Sequence, residues 1–250
     1  MREVPYIDRG IHDGGRRRKR SRSPAARLLA FVIVALLVAS VLAIAWECVN
    51  GGNHASGVSY TAHTPISISG NSQFTSANGV VRGNGTAGNP YVIENWSIDA
   101  TGYSSAISIF GTSAYFIIRN CSLSNANGDI ISITGVSVSN GQIINNICAG
   151  GGIDGIYLSN CHNFLIYNNS CVDNTNWGIR IRNTDGITIF GNYCENNGVS
   201  GSDAGMFFDG SDRNAIKANM LYDNNIGIMF SASSRNNVSY NNCSMNTGLG

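Results

Sequence analysis

The residues of this chain best suited to catalysis are three aspartates and two arginines, namely Asp129, Asp154, Arg180, Arg182 and Asp209. Two carboxylates about 5 to 9.5 Å apart can hydrolyse a glycosidic bond by acid–base catalysis. Carboxylates that bind Ca²⁺, together with a base that removes a proton beside a uronate carboxylate, would instead suit a polysaccharide lyase. These five residues are therefore the candidate catalytic groups.

Aromatic residues near these groups support another interpretation, in which the chain binds a glycan without reacting with it. Sugars bind to aromatic faces that have polar groups around them, and Tyr157, Arg180 and Phe207 are the candidate ligand-binding residues. A third interpretation is a solvated face, because Asp129 and Asp154 could be turn formers at strand starts, where Asp is favoured.

Six tetrapeptides with a shared pattern must position these side chains. The second and fourth residues are apolar in all of them, and period-two alternation places those two residues on one face. Stacked as parallel strands about 4.8 Å apart, the segments would bring Tyr157, Arg180 and Phe207 into one outward row. The tetrapeptides are residues 106–109, 130–133, 155–158, 178–181, 205–208 and 227–230.

Asparagines recur every 22 to 27 residues, each three places after an apolar residue. A fixed period of this size indicates a solenoid whose turns pack only on their neighbours. An asparagine at the same place in every turn can hydrogen-bond backbone groups in its own and adjacent turns, which predicts a buried ladder over about seven turns. The ladder residues are Asn95, Asn120, Asn146, Asn169, Asn192, Asn219 and Asn241.

A second asparagine column lies five residues further on, which implies at least three short strands in each turn. Its members are Asn125, Asn174, Asn197, Asn224 and Asn246.

Four cysteines lie two places after a ladder asparagine: Cys148, Cys171, Cys194 and Cys243. They alternate with Leu221, so the position is inward and apolar, and we expect a stack of buried thiols. Disulfide pairing of Cys171 with Cys148 or Cys194 is an alternative, because neighbouring turns lie within disulfide range. No metal site is predicted, since no histidine shares the column and the chain has no C-x-x-C motif.

The N-terminal part of the chain predicts a membrane anchor. Residues 1–27 contain nine Lys and Arg and three Asp and Glu, a net charge of +6. Residues 28–46 are uncharged and apolar, long enough for a transmembrane signal-anchor helix. The basic tail would then be cytoplasmic, residues 47–64 a linker, and residues 65–250 an extracytoplasmic domain.

A cleaved signal peptide is the alternative to a retained anchor, because Ala43 and Ala45 fit a cleavage site.

The charge of the remaining chain argues against a nucleic-acid partner. Residues 28–250 contain seven Lys and Arg and 12 Asp and Glu, a net charge of −5.

The repeat, G-I-x-L/I followed by I-x-x-N-x-C/L-x-x-N, resembles the right-handed parallel β-helix repeat of pectate lyases, carbohydrate-binding and sugar-hydrolase (CASH) domains and NosD-type proteins. The entry residues, 64–68, 79–81, 83–86 and 89–94, are similar to the opening of archaeal surface proteins with NosD-like β-helices. The resemblance covers about residues 63–250. It implies an Arg or Lys base if the chain is a lyase, and a copper-related periplasmic role if it is NosD-like.

The sequence therefore predicts an all-β, right-handed, single-stranded parallel β-helix preceded by one transmembrane helix, with further turns expected after residue 250. The leading hypothesis is a non-catalytic glycan-binding, adhesion or structural module at the cell surface, whose partners are the membrane and a carbohydrate or cell-envelope ligand. A polysaccharide lyase or glycoside hydrolase is the first alternative, and only the lyase would need Ca²⁺. A copper accessory protein is the second, although Met206, Met229 and Met245 are scattered.

Overall fold

The structure is a computed structural model that describes residues 59–136, 141–198, 201 and 203–248. The chain divides into two units, residues 1–56 and 57–250, and all described residues belong to the second. The predicted tail, residues 1–27, and the predicted span, residues 28–46, lie outside the described residues. Within the described part, no helix is long and apolar enough to cross a membrane.

An entry turn opens the described fold. It contains two short 3₁₀ segments, Asn71–Gln73 and Ser76–Asn78. Its strands are β1 (Thr61–Ala62), β2 (Ile66–Ser69), β3 (Val80–Arg82), β4 (Tyr91–Glu94) and β5 (Trp96–Asp99). Because β1 pairs with β5, the last part of the predicted linker, residues 47–64, already belongs to the sheet structure.

Six regular turns of three strands each follow the entry turn in the described residues. Their strands are β6 (Ile107–Phe110), β7 (Phe116–Arg119), β8 (Ser122–Ser124), β9 (Ile131–Thr134), β10 (Gln142–Ile144), β11 (Ile147–Ala149), β12 (Ile156–Ser159), β13 (Leu165–Tyr167), β14 (Ser170–Val172), β15 (Ile179–Arg182), β16 (Thr188–Phe190), β17 (Tyr193–Glu195), β18 (Ala204–Asp209), β19 (Ala215–Lys217), β20 (Met220–Tyr222), β21 (Ile226–Ser231), β22 (Asn237–Ser239) and β23 (Asn242–Ser244).

Each strand pairs with the equivalent strand of the next turn, which produces three sheets in the described part of the chain. Sheet 1 runs from β2 through β6, β9, β12, β15 and β18 to β21, sheet 2 contains β4 and β7, and sheet 3 contains β5 and β8. The pairing is parallel throughout, apart from an antiparallel pair between β3 and β4. The predicted all-β parallel solenoid is confirmed, and the entry turn accounts for the predicted seventh turn.

The core lies between the three sheets and consists of two inward columns from sheet 1 and one from each of the other two. In sheet 1 the inward residues Ile131, Ile156, Ile179 and Met206 stack in register and are fully buried. Period-two alternation produces this column, because each inward residue is separated from the next by one that faces outward. In the last described turn Ile228 is only partly buried and Phe230 is exposed.

Buried asparagines connect the regular turns through both ends of their side-chain amides. Oδ1 of Asn169 accepts hydrogen bonds from the backbone N–H and Nδ2 of Asn146, each at 3.0 Å. Nδ2 of Asn169 donates to Ile143 O at 2.9 Å and to Asn192 Oδ1 at 3.0 Å. One side chain therefore bonds both adjacent turns and satisfies backbone groups that would otherwise be buried without partners.

The same arrangement extends to Asn219 and Asn241. Asn146, Asn169, Asn192 and Asn219 are each 1% exposed, whereas Asn241 in the last described turn is partly exposed.

Asn95 and Asn120 do not belong to this ladder, which corrects the sequence prediction. Strand register aligns Ile93 and Ile118 with Ile143, so the ladder position falls on Trp96 and Cys121. Asn95 and Asn120 lie one residue earlier, with left-handed φ angles of 63° and 50°. Asparagine is favoured one residue before the ladder position because it tolerates a left-handed backbone. It is favoured at the ladder position itself because its side chain forms hydrogen bonds.

The second asparagine column needs the same correction at its start. Asn174, Asn197 and Asn224 are buried and bonded from turn to turn. Asn125 is exposed and has a left-handed φ of 60°, so it lies one residue before this column.

A third column stabilises the corner between sheets 1 and 2 with different side chains. Thr184 Oγ1 accepts a hydrogen bond from Cys161 N at 3.1 Å, and Ser211 Oγ accepts one from Thr184 N at 3.1 Å. The column continues with Ser233, whose Oγ accepts from Ser211 N at 2.9 Å. Hydroxyl oxygens thus replace the amide oxygen in capping buried backbone N–H groups.

The inward column of sheet 3 contains the cysteines that follow the ladder asparagines. Cys148, Cys171 and Cys194 are register partners, fully buried, and free thiols. Burial raises the pKa of the Cys171 and Cys194 thiols well above their usual range, so these groups remain protonated and act as small apolar side chains. Cys243, in the last described turn, is exposed rather than buried.

Replacing Asn169 by leucine tests the ladder. Leucine has similar bulk but leaves buried amide and carbonyl groups without partners, so Asn169→Leu should lower the free energy of unfolding by about 1–3 kcal/mol or more. The measurement is chemical denaturation followed by far-UV circular dichroism.

The matched control is Asn168→Gly, because Asn168 is the exposed neighbour and has a left-handed φ of 52° that glycine adopts freely. Its effect should stay within about 0.5 kcal/mol. Equal losses in the two variants would contradict a special role for the buried amide.

Candidate functional site

The outward face of sheet 1 brings most of the candidate residues together. Ser132, Tyr157, Arg180 and Phe207 are successive register partners on β9, β12, β15 and β18. Adjacent strands are about 4.8 Å apart, so these side chains form one continuous row across the turns. The position of each follows from its place as the third residue of the repeated tetrapeptide.

The Arg180 guanidinium lies against two aromatic rings, one from this row and one from the segment just before β15. Its Cζ is 4.4 Å from the ring centroid of Trp177 and 5.2 Å from that of Tyr157. Cation–π contacts of this kind are worth about 0.5–2 kcal/mol and increase as water is excluded. Trp177 also stacks on Phe207 with centroids 5.1 Å apart, so Tyr157, Trp177 and Phe207 form an aromatic platform around one cation.

Asp154 lies behind this platform, and its side chain is 0% exposed. Its Oδ2 is 3.9 Å from Arg180 Nη1, close enough for electrostatic attraction but too long for a hydrogen bond. Both carboxyl oxygens of Asp154 and Nε of Arg180 are buried without hydrogen-bond partners. Burial and the nearby Asp129 raise the pKa of Asp154 to about 8, although Arg180 acts in the opposite direction.

Asp129 occupies the equivalent place one turn earlier and is the more accessible of the two carboxyl groups. Its Oδ2 accepts a hydrogen bond from Ser132 Oγ at 3.0 Å. Burial raises its pKa, whereas the Ser132 hydroxyl and Arg180 lower it. Asp129 borders an open, hydroxyl-rich depression of about 470 Å³, lined by Ser104, Ser105, Ser108, Asn127, Gly128, Asp129, Ser132 and Ile153.

Arg182 and Asp209, the remaining candidates, form a separate pair in the next outward row. Arg182 Nε is 3.5 Å from Asp209 Oδ2, and both side chains are substantially exposed. An exposed pair of this kind contributes little to stability. The structure therefore groups Asp129, Asp154 and Arg180 and leaves Arg182 and Asp209 outside that group.

Trp177 and Asp203 are the residues of this site that the sequence reasoning missed. Asp203 is close enough to Asp154 to oppose its ionisation. A usable signal for Trp177 existed, because it immediately precedes its tetrapeptide, as Asp129 and Asp154 precede theirs. Alignment of that preceding position across turns would have placed the ring beside the two carboxyl groups.

Comparison with protein families identifies the fold family. The model of the right-handed β-helix region matches residues 66–203, more than half of the chain. The chain belongs to this family. The predicted right-handed β-helix repeat is thereby confirmed.

A second family model, that of the periplasmic copper-binding protein NosD, matches residues 192–248. The residues of that segment do not fit a copper site. Cys194 and Met206 are fully buried in the core, and the described residues contain no group of three His, Cys, Asp or Glu side chains that could hold a metal ion.

Solved structures with similar architecture include the A-module of the mannuronan C-5 epimerase AlgE4 from Azotobacter vinelandii, at 12% identity and a TM-score of 0.44, over 64% of this chain and 61% of that one. A double mutant of the periplasmic alginate epimerase AlgG matches at 13% identity and a TM-score of 0.32, over 60% of this chain and 50% of that one. The chain thus spans less than two thirds of either structure. No curated protein matches it in sequence.

Asp154→Asn should stabilise the protein, increasingly so at higher pH. Because the pKa of Asp154 is raised in the folded state, the folded protein holds a proton that the unfolded chain loses near pH 4. That contribution to stability is complete below the unfolded pKa and is lost as the pH rises towards 8, by at most about 1.4 kcal/mol per pH unit. Asparagine removes the ionisation, so its advantage should grow from pH 5 to pH 8 in denaturant titrations.

Asp209→Asn is the matched control, since it removes a partly exposed carboxylate from the same face. Its free energy of unfolding should follow the wild-type pH profile closely. Parallel profiles for Asp154→Asn and the wild type would contradict the burial argument.

Proposed function

We propose that the chain is a non-catalytic glycan-binding module of the cell envelope, and that the outward face of sheet 1 is its binding surface. The observation that carries this proposal is the aromatic platform of Tyr157, Trp177 and Phe207 around Arg180. Apolar ring faces suit the C–H faces of sugars, while guanidinium donors suit sugar oxygens. The parallel strands repeat along the solenoid axis, so this surface suits an extended chain better than a single small molecule.

Polar groups beside the platform support the same function. The depression next to Asp129 has four serine hydroxyls, from Ser104, Ser105, Ser108 and Ser132. Hydroxyls both donate and accept hydrogen bonds, and a sugar presents the same kinds of group. The platform would hold the ring faces, and the depression would hold hydroxyl groups of an adjacent sugar.

Burial of Asp154 favours binding over hydrolysis. A glycoside hydrolase needs two carboxyl groups that reach opposite sides of one glycosidic bond. Both oxygens of Asp154 are buried, so Asp129 is the one member of the pair that borders the open depression. A lyase that uses Asp129 and Arg180 is the enzymatic alternative, and it would reveal itself by chain cleavage that requires Ca²⁺.

The proposed location is extracytoplasmic, with residues 28–46 as a signal-anchor helix. The uncharged run of 19 residues and the basic residues before it support this topology. Anchoring would present the solenoid to glycans of the envelope or of a neighbouring cell.

The binding proposal is tested with the full chain in detergent and a panel of neutral and acidic polysaccharides, with and without Ca²⁺. We expect binding without chain cleavage. Trp177→Ala should weaken that binding at least about tenfold, equivalent to about 1.4 kcal/mol, because it removes the ring that contacts both Arg180 and Phe207.

Phe190→Ala is the matched control. Phe190 is an aromatic residue of sheet 2 that stacks on Tyr167, away from the platform, and its loss should leave affinity unchanged. Equal weakening in the two variants, or no binding by the wild type, would contradict the proposal. Cleavage in the presence of Ca²⁺ would establish the lyase alternative instead.

A further inference from the structure

Asp154 and Arg180 form an unusual buried pair, because neither group satisfies the other. The two carboxyl oxygens of Asp154 and Nε of Arg180 are the buried polar side-chain atoms without a hydrogen-bond partner among the described residues. Opposite charges this close normally join in short, charge-assisted hydrogen bonds. Here the nearest approach, 3.9 Å from Nη1 to Oδ2, leaves the guanidinium on its aromatic neighbours instead.

The charged groups around Asp154 explain this arrangement. Asp129 faces it from the preceding turn and Asp203 from a later turn, and both oppose its negative charge. Arg180 on β15 favours that charge, as does the nearby backbone of Trp177, but desolvation is the largest effect. The neutral carboxyl is therefore the stable form near neutral pH, and it holds the guanidinium only weakly.

We propose that Asp154 is a positioning residue that controls Arg180 through its own protonation, and that glycan binding at the platform is therefore linked to one proton. This inference rests on the proposed function. While Asp154 is protonated, Arg180 stays against Trp177 and its outer N–H groups can donate to ligand oxygens. When Asp154 releases its proton to solvent, the carboxylate attracts Nη1 and draws the guanidinium inward. A ligand that bonds Arg180 then competes with that ion pair, and its binding returns the proton to Asp154.

The sign of the effect follows from the folded-state pKa of about 8 for Asp154. Affinity should be greatest and constant below about pH 7, where the carboxyl is protonated. It should fall as the pH rises through 8, by at most about tenfold per pH unit for linkage to a single proton. The platform would thus bind glycan well in neutral or mildly acidic surroundings and release it in alkaline ones.

Affinity profiles of three proteins test this linkage. The full chain in detergent is titrated, between pH 6 and pH 9.5, with the polysaccharide that it binds most tightly at pH 6. The wild type should lose affinity severalfold across this range. Asp154→Asn, which resembles the protonated carboxyl, should keep the affinity of the pH 6 wild type throughout.

Asp209→Asn serves as the matched control, because it removes a carboxylate that pairs with Arg182 on the same face. It should keep the wild-type slope. A flat wild-type profile, or a wild-type slope in Asp154→Asn, would overturn the inference.

A measurement without ligand separates this inference from the proposed function. In protein labelled at the aspartate carboxyl carbon, the Asp154 signal should titrate near pH 8, and Asp129→Asn should move that titration to lower pH. The Nε–H resonance of Arg180, assigned with Arg180→Lys, should follow the same titration in the wild type and stay constant in Asp154→Asn.

If Asp154 is already ionised at pH 6, or if the Arg180 resonance does not change as Asp154 titrates, the positioning role is wrong, whether or not a polysaccharide binds. If both signals behave as expected but no polysaccharide binds at any pH, the proposed function is wrong, and so is the linkage of glycan binding to a proton. The control of Arg180 by Asp154 would still be supported.

Discussion

The rest of this structure depends on the hydrogen bonds of buried asparagine amides between successive turns. From Asn146 to Asn219, each amide of the ladder reaches the backbone of the preceding turn and the side chain of the next one, as Asn169 does with Ile143 and Asn192. Backbone N–H and C=O groups at the corners of a solenoid cannot all pair within the sheets, and burying one unpaired would cost about 1–3 kcal/mol, more than a typical hydrogen bond contributes. The amides remove that cost and, at the same time, fix the rise and register of the turns that they connect.

A fixed register has direct consequences on the outside of the solenoid. Residues with the same place in successive repeats become neighbours, so side chains that are far apart in sequence form rows on each face. Tyr157, Arg180 and Phe207 meet for this reason. The same constraint holds Asp154 behind them in an environment that disfavours its charge. A scaffold bonded at its corners can tolerate one such unsatisfied group, because no single turn can relax without breaking the bonds to its neighbours.

The repeat pattern allowed the fold and the outward row to be predicted from sequence. Period-two alternation identified the inward columns, and the asparagine spacing identified the ladder from Asn146 onward. The pattern failed at Asn95 and Asn120, where asparagine serves a left-handed backbone one residue before the ladder position. The corner column of Cys161, Thr184, Ser211 and Ser233 was missed, since three residue types fill one role.

The candidate site was harder to predict than the fold. Sequence spacing placed Asp129 and Asp154 near Arg180, but burial of Asp154 depends on side chains from several turns and leaves no local signal. Trp177 lies in the segment between β14 and β15, outside the strand pattern from which Tyr157 and Phe207 were predicted. The most direct test of the asparagine ladder is hydrogen exchange at the backbone amides of Cys121, Asn146 and Asn169, each of which donates to an asparagine Oδ1 of the next turn. Exchange at these amides should be as slow as that of the amides in the central strands of the sheets, whereas rapid exchange at these corners would show that the amide ladder does not hold the turns together.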